Sequence, residues 1–243
     1  PIPPYSRDWG ETGPREVLAE GARQMMPEIT PTEAGRGALL DDLDASLVRL
    51  GTDHLDLWLV QAPDRLTPAS ETATALEIAV RSGRARYVGV SNYPGWASAQ
   101  IAGLMSSSGS GIGLAGLEVE YSLLERGIER EVIPAAQALG LGVIGWSGLG
   151  RGVLTGKYRR VRPADSRAAS AHLRAFVEPY LTEQAAAIVQ ALSVAAGGLG
   201  QTPLAVALAW ARDAPGMSSV LIGPRNAIQL SAALEATALE LPP

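Results

Sequence analysis

Short apolar runs alternate with amphipathic stretches along most of this chain. The apolar runs are rich in β-branched residues, and the stretches between them have the periodicity of helices, which is typical of consecutive βα units around a parallel sheet. The pattern predicts an α/β fold. We predict strands at Leu55–Val60, Arg86–Ser91, Leu114–Tyr121, Gly142–Ser147 and Ser219–Ile222.

Local signals mark where several of the predicted helices begin and end. Thr30–Glu33 combines a capping threonine, a proline and a glutamate, and the threonine–proline start recurs at Thr67-Pro68 and Thr202-Pro203. Gly83 and Gly140 stand where helices usually end. The first helix is predicted to bury one apolar face, formed by Leu39, Leu40, Leu43, Leu47 and Leu50.

The alternation changes between the fourth and fifth predicted strands. Residues 150–175 are polar, Arg-rich and irregular, and we predict a long loop there over the mouth of a barrel. Two helices follow, around Glu183–Ala196 and Pro203–Arg212, before the last strand. Because a single α/β barrel commonly has about this length, we treat residues 1–243 as one barrel domain, a (β/α)8 TIM barrel.

The front of the chain departs from the barrel pattern. Val17, Leu18, Ala22 and Met25 favour a helix, and we find no strand pattern before Leu55. A (β/α)8 barrel needs more strands than these, and an open parallel sheet exposes unpaired edges. Either the first strands are absent from this chain, which we favour, or another chain completes the sheet. If the first strands are absent, we expect a chain break near Met26–Pro27, where helix residues run straight into loop residues.

Composition and charge exclude several classes of function. A net charge of −5 and a pI near 5.2 argue against nucleic acid as a partner, because phosphate binding requires a basic face. The absence of cysteine excludes disulfides, thiolate nucleophiles and cysteine zinc sites. No signal peptide opens the sequence, and the longest apolar run, Leu204–Ala211, is far shorter than the ~20 residues that span a bilayer. We expect a cytoplasmic protein that handles small molecules without a membrane or nucleic-acid partner, and leave open whether it forms a homo-oligomer.

Several motifs occur in a fixed order along the chain. They are Leu47–Asp53 leading into Leu55–Trp58, then Arg86–Asn92, Glu118–Leu124, Trp146–Gly152, and Ile222–Arg225 with Gln229. Together they resemble the aldo-keto reductase family, over roughly residues 9–243 with a deletion near the front. The resemblance implies a barrel whose C-terminal mouth holds NADP(H), and an oxidoreductase that reduces a carbonyl group on a small organic molecule.

The resemblance assigns four residues to the nicotinamide end of the cofactor. Ser91 and Asn92 end a predicted strand, and their polar groups can hydrogen-bond the carboxamide. Glu118 stands where the family has a glutamine that contacts the nicotinamide, and Trp146 offers an aromatic face to the ring. The structural alternatives are that Ser91 and Asn92 only cap a strand and that Trp146 only packs in the barrel.

Five further residues are assigned to the phosphates by the same resemblance. Ser147 and Leu149 offer backbone N–H groups toward the pyrophosphate. The segment with Gly223, Arg225 and Gln229 resembles the nucleotide-binding segment near the C-terminal end of the family's sequences. Arg225 lies just before a predicted helix start, where its planar charged group suits the 2′-phosphate of NADP(H). The alternative for Arg225 is a solvated surface arginine.

The chain departs from the family at the catalytic residues. Gln61 replaces the histidine, and it can hydrogen-bond a carbonyl but cannot donate a charge-assisted proton. Trp9 stands near the place of the tyrosine, and Lys157, the only lysine of the chain, is in the wrong loop to be the catalytic lysine. Ala232-Ala233 replaces an acid and an asparagine that contact adenine. We place Trp9 and His172 in the substrate pocket.

Three interpretations of function follow. The leading one is an NADPH-dependent carbonyl reductase with an altered catalytic tetrad, in which Gln61 and Glu118 are the catalytic candidates. The second is non-redox acid–base chemistry, such as dehydration or isomerisation, by Glu118 beside Gln61. Glu118 and Glu120 share one strand face, and if both point into a barrel, one carboxyl has a raised pKa. The third is a nucleotide-binding pseudo-enzyme.

Overall fold

The computed structural model describes residues 35–242 apart from positions 65, 160–162, 164–165 and 171–172. The predicted helix start at Thr30–Glu33, the helix around Val17 and the chain break at Met26–Pro27 lie outside these residues. The described residues form two compact units. The first unit contains residues 35–119 and Ile128–Ile144, and the second contains Glu120–Gly127 and residues 145–242.

The first unit is built from alternating helices and strands. Its elements, two of which run on into the second unit, are α1 (Arg36–Leu50), β1 (Leu55–Val60), α2 (Ala69–Arg81), β2 (Ala85–Ser91), α3 (Gly95–Ser107), β3 (Gly116–Glu120), α4 (Val132–Leu139) and β4 (Gly142–Trp146). A 3-10 turn at Gly127–Arg130 precedes α4.

The second unit is mostly helical. Its elements are 3-10 segments at Gly150–Thr155 and Arg167–Ala169, α5 (Arg174–Val177), a 3-10 turn at Glu178–Tyr180, α6 (Glu183–Gly198), α7 (Pro203–Arg212), β5 (Ser219–Val220), α8 (Ala227–Glu235) and a 3-10 turn at Ala236–Ala238. The segment predicted as a long loop, residues 150–175, thus contains short 3-10 segments. Among the described helices, none alone is long and apolar enough to cross a membrane; α6 and α7 meet that test only as a pair, bent by 98°.

The strands are hydrogen-bonded neighbours in the order β1-β2-β3-β4-β5. β1 pairs with β2 and β2 with β3 in parallel register, so Leu57 lies beside Tyr87 and Ser91 beside Glu118. Every predicted strand is present. The last is shortened to Ser219–Val220. Over the described residues the sheet does not close into a barrel.

One face of β2 and β3 packs against helices in the first unit. Val88, Val90 and Leu117 are almost fully buried on this face. Leu76 on α2 is completely buried, and Ile101 on α3 is almost completely buried. Each such side chain stabilises the fold by roughly 1.5–3 kcal/mol. Packing on this side fixes the positions of the strand ends, where the polar residues of interest lie.

The helix starts show which local signals decide the structure. Thr202 caps α7 as predicted, and its hydroxyl accepts a hydrogen bond from the N–H of Ala205 at 3.1 Å. The prediction that Thr67 caps the next helix is wrong, because Pro68 is the capping residue of α2. The Thr67 hydroxyl instead donates to Asp64 Oδ2 at 2.7 Å.

Replacing Thr202 with alanine should lower the free energy of unfolding by about 1 kcal/mol, because one amide at the start of α7 loses its acceptor. Chemical denaturation monitored by circular dichroism measures the change. The matched control is Thr74→Ala inside α2, where the hydroxyl only bonds the carbonyl of Ser70. That substitution should leave stability nearly unchanged, and equal losses in both variants would contradict the capping role.

Candidate functional site

A polar cluster forms in the first unit where β1, β2 and β3 end. We call Gln61, Ser91, Asn92 and Glu118 the strand-end cluster. The Asn92 side-chain Nδ2 donates to Ser91 Oγ at 3.0 Å and to the main-chain oxygen of Gln61 at 3.2 Å. The Asn92 N–H donates to the main-chain oxygen of Glu118 at 2.8 Å. One side chain therefore ties the ends of β1 and β2 together, while the backbone ties β2 to β3.

Asn92 adopts a backbone conformation that few residues accept. Its φ of 57° is in the left-handed region, where asparagine is among the best tolerated of the side chains other than glycine. This conformation ends β2 sharply and turns the side chain back toward Ser91. Residues held in such conformations cluster at active sites and ligand-binding sites.

Glu118 is the titratable member of the strand-end cluster. It is half-buried on β3, and Ser91, which is 2% exposed, donates a hydrogen bond to its carboxyl. Burial raises the pKa of Glu118, and the bond from Ser91 opposes this in part, so that the pKa remains above its ordinary value. A carboxyl of this kind can accept hydrogen bonds or exchange a proton.

Gln61 joins the cluster through its main chain. Its main-chain oxygen accepts the bond from Asn92, and the residue itself is exposed. The structure thus places the two catalytic candidates, Gln61 and Glu118, at strand ends on either side of β2, linked through Ser91 and Asn92. The exposed position leaves the Gln61 amide accessible to a ligand.

A tight turn follows β4 in the second unit. Ser147, Gly150, Arg151 and Gly152 all have positive φ, at 61°, 55°, 57° and 93°. The N–H of Gly150 donates to the Ser147 main-chain oxygen at 2.7 Å, and the N–H of Arg151 donates to the Ser147 Oγ at 3.0 Å. The N–H of Gly152 donates to the oxygen of Leu149 at 3.0 Å. The turn is therefore held by its own hydrogen bonds, with the Ser147 side chain as an acceptor within it.

Arg151 fixes this turn to the rest of the second unit, and sequence analysis did not identify it. Its Nε and Nη2 donate to the two carboxylate oxygens of Glu120 at 2.9 and 2.7 Å, and its Nη1 donates to the Phe176 oxygen at 2.6 Å. The guanidinium lies 3.9 Å from the Phe176 ring centroid and 5.9 Å from that of Trp146. Glu120 is thus an ion-pair partner inside the structure.

The segment before α8 contains the predicted phosphate residues. Arg225 is exposed, and its N–H donates to Gln229 Oε1 at 2.8 Å. Asn226 caps α8, and its Oδ1 accepts from the N–H of Gln229 at 2.9 Å. Gln229 therefore fixes the start of α8 just beyond Arg225. Gly223 lies in open space, where an added Cβ would meet nothing within 4 Å.

Arg167 is a second residue that sequence analysis missed. It is half-buried in the 3-10 segment of the Arg-rich stretch. Burial lowers the pKa of Arg167, and the positive charges of Arg225 and Arg151 lower it further, while Tyr158 acts in the opposite direction. Arg167 is therefore a half-buried cation that the positive charge of Arg225 reaches.

The remaining predicted residues divide into two sets. Trp9 and His172, the substrate-pocket candidates, lie outside the described residues. Trp146 is half-buried at the end of β4, and Leu149 packs against both apolar clusters of the second unit. The Lys157 ammonium lies 5.1 Å from the ring centroid of Tyr158 in its own loop.

Comparison with known proteins relates the chain to one family. Residues 23–243 match the model of the Aldo/keto reductase family. An uncharacterized oxidoreductase of Bacillus subtilis (strain 168), YrpG, is 37% identical over 82% of this chain and 58% of its own length. The L-glyceraldehyde 3-phosphate reductase of Escherichia coli (strain K12) is 34% identical over 90% of this chain and 64% of its own. A probable voltage-gated potassium channel subunit beta of Oryza sativa subsp. japonica is 34% identical over 82% and 62%.

The chain belongs to the aldo/keto reductase family. The resemblance predicted from the ordered motifs is confirmed, and with it the fold class, since the family fold is the (β/α)8 barrel and the described residues supply a sheet of five neighbouring strands. The chain spans about three fifths of the length of the curated relatives it matches.

Proposed function

We propose that this chain binds NADPH and takes part in reducing a carbonyl group on a small organic molecule. The observation that carries the proposal is the strand-end cluster, in which Asn92 donates to Ser91 at 3.0 Å and Ser91 lies in register with Glu118 near the carboxyl ends of parallel strands. In barrels of this kind ligands bind at that end of the strands.

The donor and acceptor set of the cluster fits a carboxamide. A carboxamide offers both N–H donors and an oxygen acceptor, so it needs partners of both kinds. Ser91 and Asn92 supply hydroxyl and amide groups, and the carboxylate of Glu118 supplies acceptor oxygens. Because Ser91 is buried and Asn92 is held at two points, the set is ordered before any ligand arrives.

The positive groups of the second unit fit the phosphates. The positive charge of Arg225 lowers the pKa of Arg167, and a phosphate monoester beside Arg167 would offset that effect. The 2′-phosphate distinguishes NADPH from NADH, so these arginines support the choice of NADPH. Trp146, Ser147 and Leu149 lie in the same unit as these arginines, and we propose them as ring and pyrophosphate contacts.

The chemistry divides between cofactor and chain. When bound, NADPH supplies a hydride to the carbonyl carbon. The chain's own residues orient the carbonyl oxygen, and the exposed Gln61 can donate a hydrogen bond to it. A proton must also reach that oxygen, and Glu118 is the member of the strand-end cluster able to release one, favoured by its raised pKa.

The proposal predicts micromolar NADPH binding with weaker NADH binding, measured by quenching of tryptophan fluorescence. Arg225→Ala should weaken NADPH binding by about tenfold or more, the effect of losing a charge-assisted hydrogen bond, and leave NADH nearly unchanged. Trp146→Ala should weaken both nucleotides, and because it removes a reporter, the fluorescence of NADPH itself is followed for that variant. Arg86→Ala, an exposed arginine paired with Asp56, is the matched control and should bind normally.

Absence of quenching at millimolar nucleotide would contradict the proposal. It would favour the second candidate, non-redox acid–base chemistry, which has its own support in the raised pKa of Glu118 and its hydrogen bond from Ser91. Binding without turnover of any carbonyl compound would favour a nucleotide-binding protein without reductase activity. L-glyceraldehyde 3-phosphate should be among the carbonyl compounds tested, because one relative is named as its reductase.

A further inference from the structure

Glu118 brings a carboxylate to the strand-end cluster, and the hydrogen bonds around it run in one direction. The Asn92 amide donates to Ser91 Oγ at 3.0 Å, and the Ser91 hydroxyl donates to the Glu118 carboxyl. Ser91 is 2% exposed, so its hydroxyl is shielded from water.

Among the described residues, no positive charge neutralises Glu118. The two influences on its pKa there are burial and the hydrogen bond from Ser91. By contrast, Glu120, two residues along the same strand, is matched by the guanidinium of Arg151 at 2.7 Å. A half-buried carboxylate without such neutralisation attracts a cationic ligand more strongly than an exposed one does.

We propose that Glu118 makes the site select the redox state of its nucleotide, binding oxidised NADP⁺ more tightly than reduced NADPH. This inference rests on the proposed function, because it requires the nicotinamide at the strand-end cluster. The oxidised ring carries a positive charge that the reduced ring lacks, while the two molecules share their phosphates and nearly all of their shape. A carboxylate beside the ring therefore attracts the oxidised ring and gives no such attraction to the reduced one.

Selection of the oxidised form has a consequence for turnover. A reductase that holds its oxidised nucleotide tightly releases it slowly, and it also binds the oxidised form in competition with fresh NADPH. Glu118 is thus a specificity-determining residue for the cofactor's redox state, independent of any proton that it transfers.

The test is calorimetric titration of the chain with NADP⁺ and, separately, with NADPH at pH 8, which favours the ionised carboxylate. The wild-type chain should bind NADP⁺ more tightly than NADPH. Glu118→Gln, which keeps the shape and removes the charge, should shift the ratio of the two dissociation constants toward NADPH by about ten- to a hundredfold, the range of a Coulomb attraction across roughly 6–12 Å at an effective dielectric constant of about 20. Asp56→Asn removes one charge from an exposed position on β1 and should leave the ratio unchanged.

The outcomes separate this inference from the proposed function. If neither nucleotide binds the wild-type chain, the proposed function fails and the inference with it. If both bind but the wild-type chain prefers NADPH, or Glu118→Gln leaves the ratio as it was, the inference alone is wrong. The wild-type preference is measured without any variant, so the inference is still tested if the Glu118→Gln chain fails to fold.

Discussion

Replacing Arg151 with alanine should lower the free energy of unfolding by about 3–5 kcal/mol, the usual cost of breaking a buried ion pair from one side. The side chains of Arg151 and Glu120 are 14% and 15% exposed, and they meet through two hydrogen bonds of 2.9 and 2.7 Å. The substitution leaves Glu120 charged in a poorly solvated place and also removes the bond to the Phe176 oxygen. Chemical denaturation of the wild-type and variant chains gives the difference.

A matched control separates burial from charge. Arg86 pairs with Asp56 at 2.9 Å, but their side chains are 61% and 82% exposed. Arg86→Ala should therefore cost less than about 1 kcal/mol. The double variant Glu120→Leu, Arg151→Met should lose less than Arg151→Ala alone, because it leaves no buried charge without a partner. If Arg151→Ala cost no more than Arg86→Ala, the pair would not stabilise the turn after β4.

The strands and their polar ends were predictable because both depend on neighbours in sequence. A run such as Arg86–Ser91 shows its strand character in its own β-branched residues, and parallel strands place their carboxyl ends at one edge. Ser91 and Asn92 could therefore be placed at a strand end from the sequence, whereas Glu118 was assigned to the same region by the family resemblance. Their hydrogen-bond order, with Asn92 as the donor to Ser91, required the structure.

What could not be predicted depends on pairings distant in sequence. Arg151 and Glu120 are 31 residues apart, and nothing local distinguishes Arg151 from the other arginines of the chain. Arg167 stood in an Arg-rich stretch typical of a solvated surface, and only its burial near Arg225 sets it apart. At Thr67 the helix begins one residue later than predicted, with Pro68 as its capping residue, and the Thr67 hydroxyl bonds Asp64.

A row of glycines lies beneath the strand-end cluster and determines how closely the strands approach. Gly89 on β2 is in register with Gly116 on β3, two residues before Ser91 and Glu118. A Cβ on Gly89 would overlap the carbonyl oxygen of Gly116 and lie 2.7 Å from Leu59 Cδ2, and a Cβ on Gly116 would lie 2.9 Å from the oxygen of Gly142. Backbone atoms cannot move aside as the end of a side chain can, so these positions exclude any side chain.

Gly89→Ala should therefore destabilise the chain by about 3 kcal/mol, the upper part of the usual range for overpacking. The same displacement should separate β2 from β3 at Ser91 and weaken NADPH binding, if that cluster holds the nucleotide. Gly103→Ala is the control, because an added Cβ there, on the exposed face of α3, meets nothing within 4 Å. It should stabilise the chain by about 0.4–1 kcal/mol, because alanine reduces the conformational freedom of the unfolded chain.

Unfolding curves and NADPH titrations of both variants test these expectations. A Gly89→Ala chain as stable as wild type would mean that β2 and β3 are farther apart than the structure shows. Lost stability with undiminished NADPH affinity would mean that nucleotide binding does not depend on the strand-end cluster.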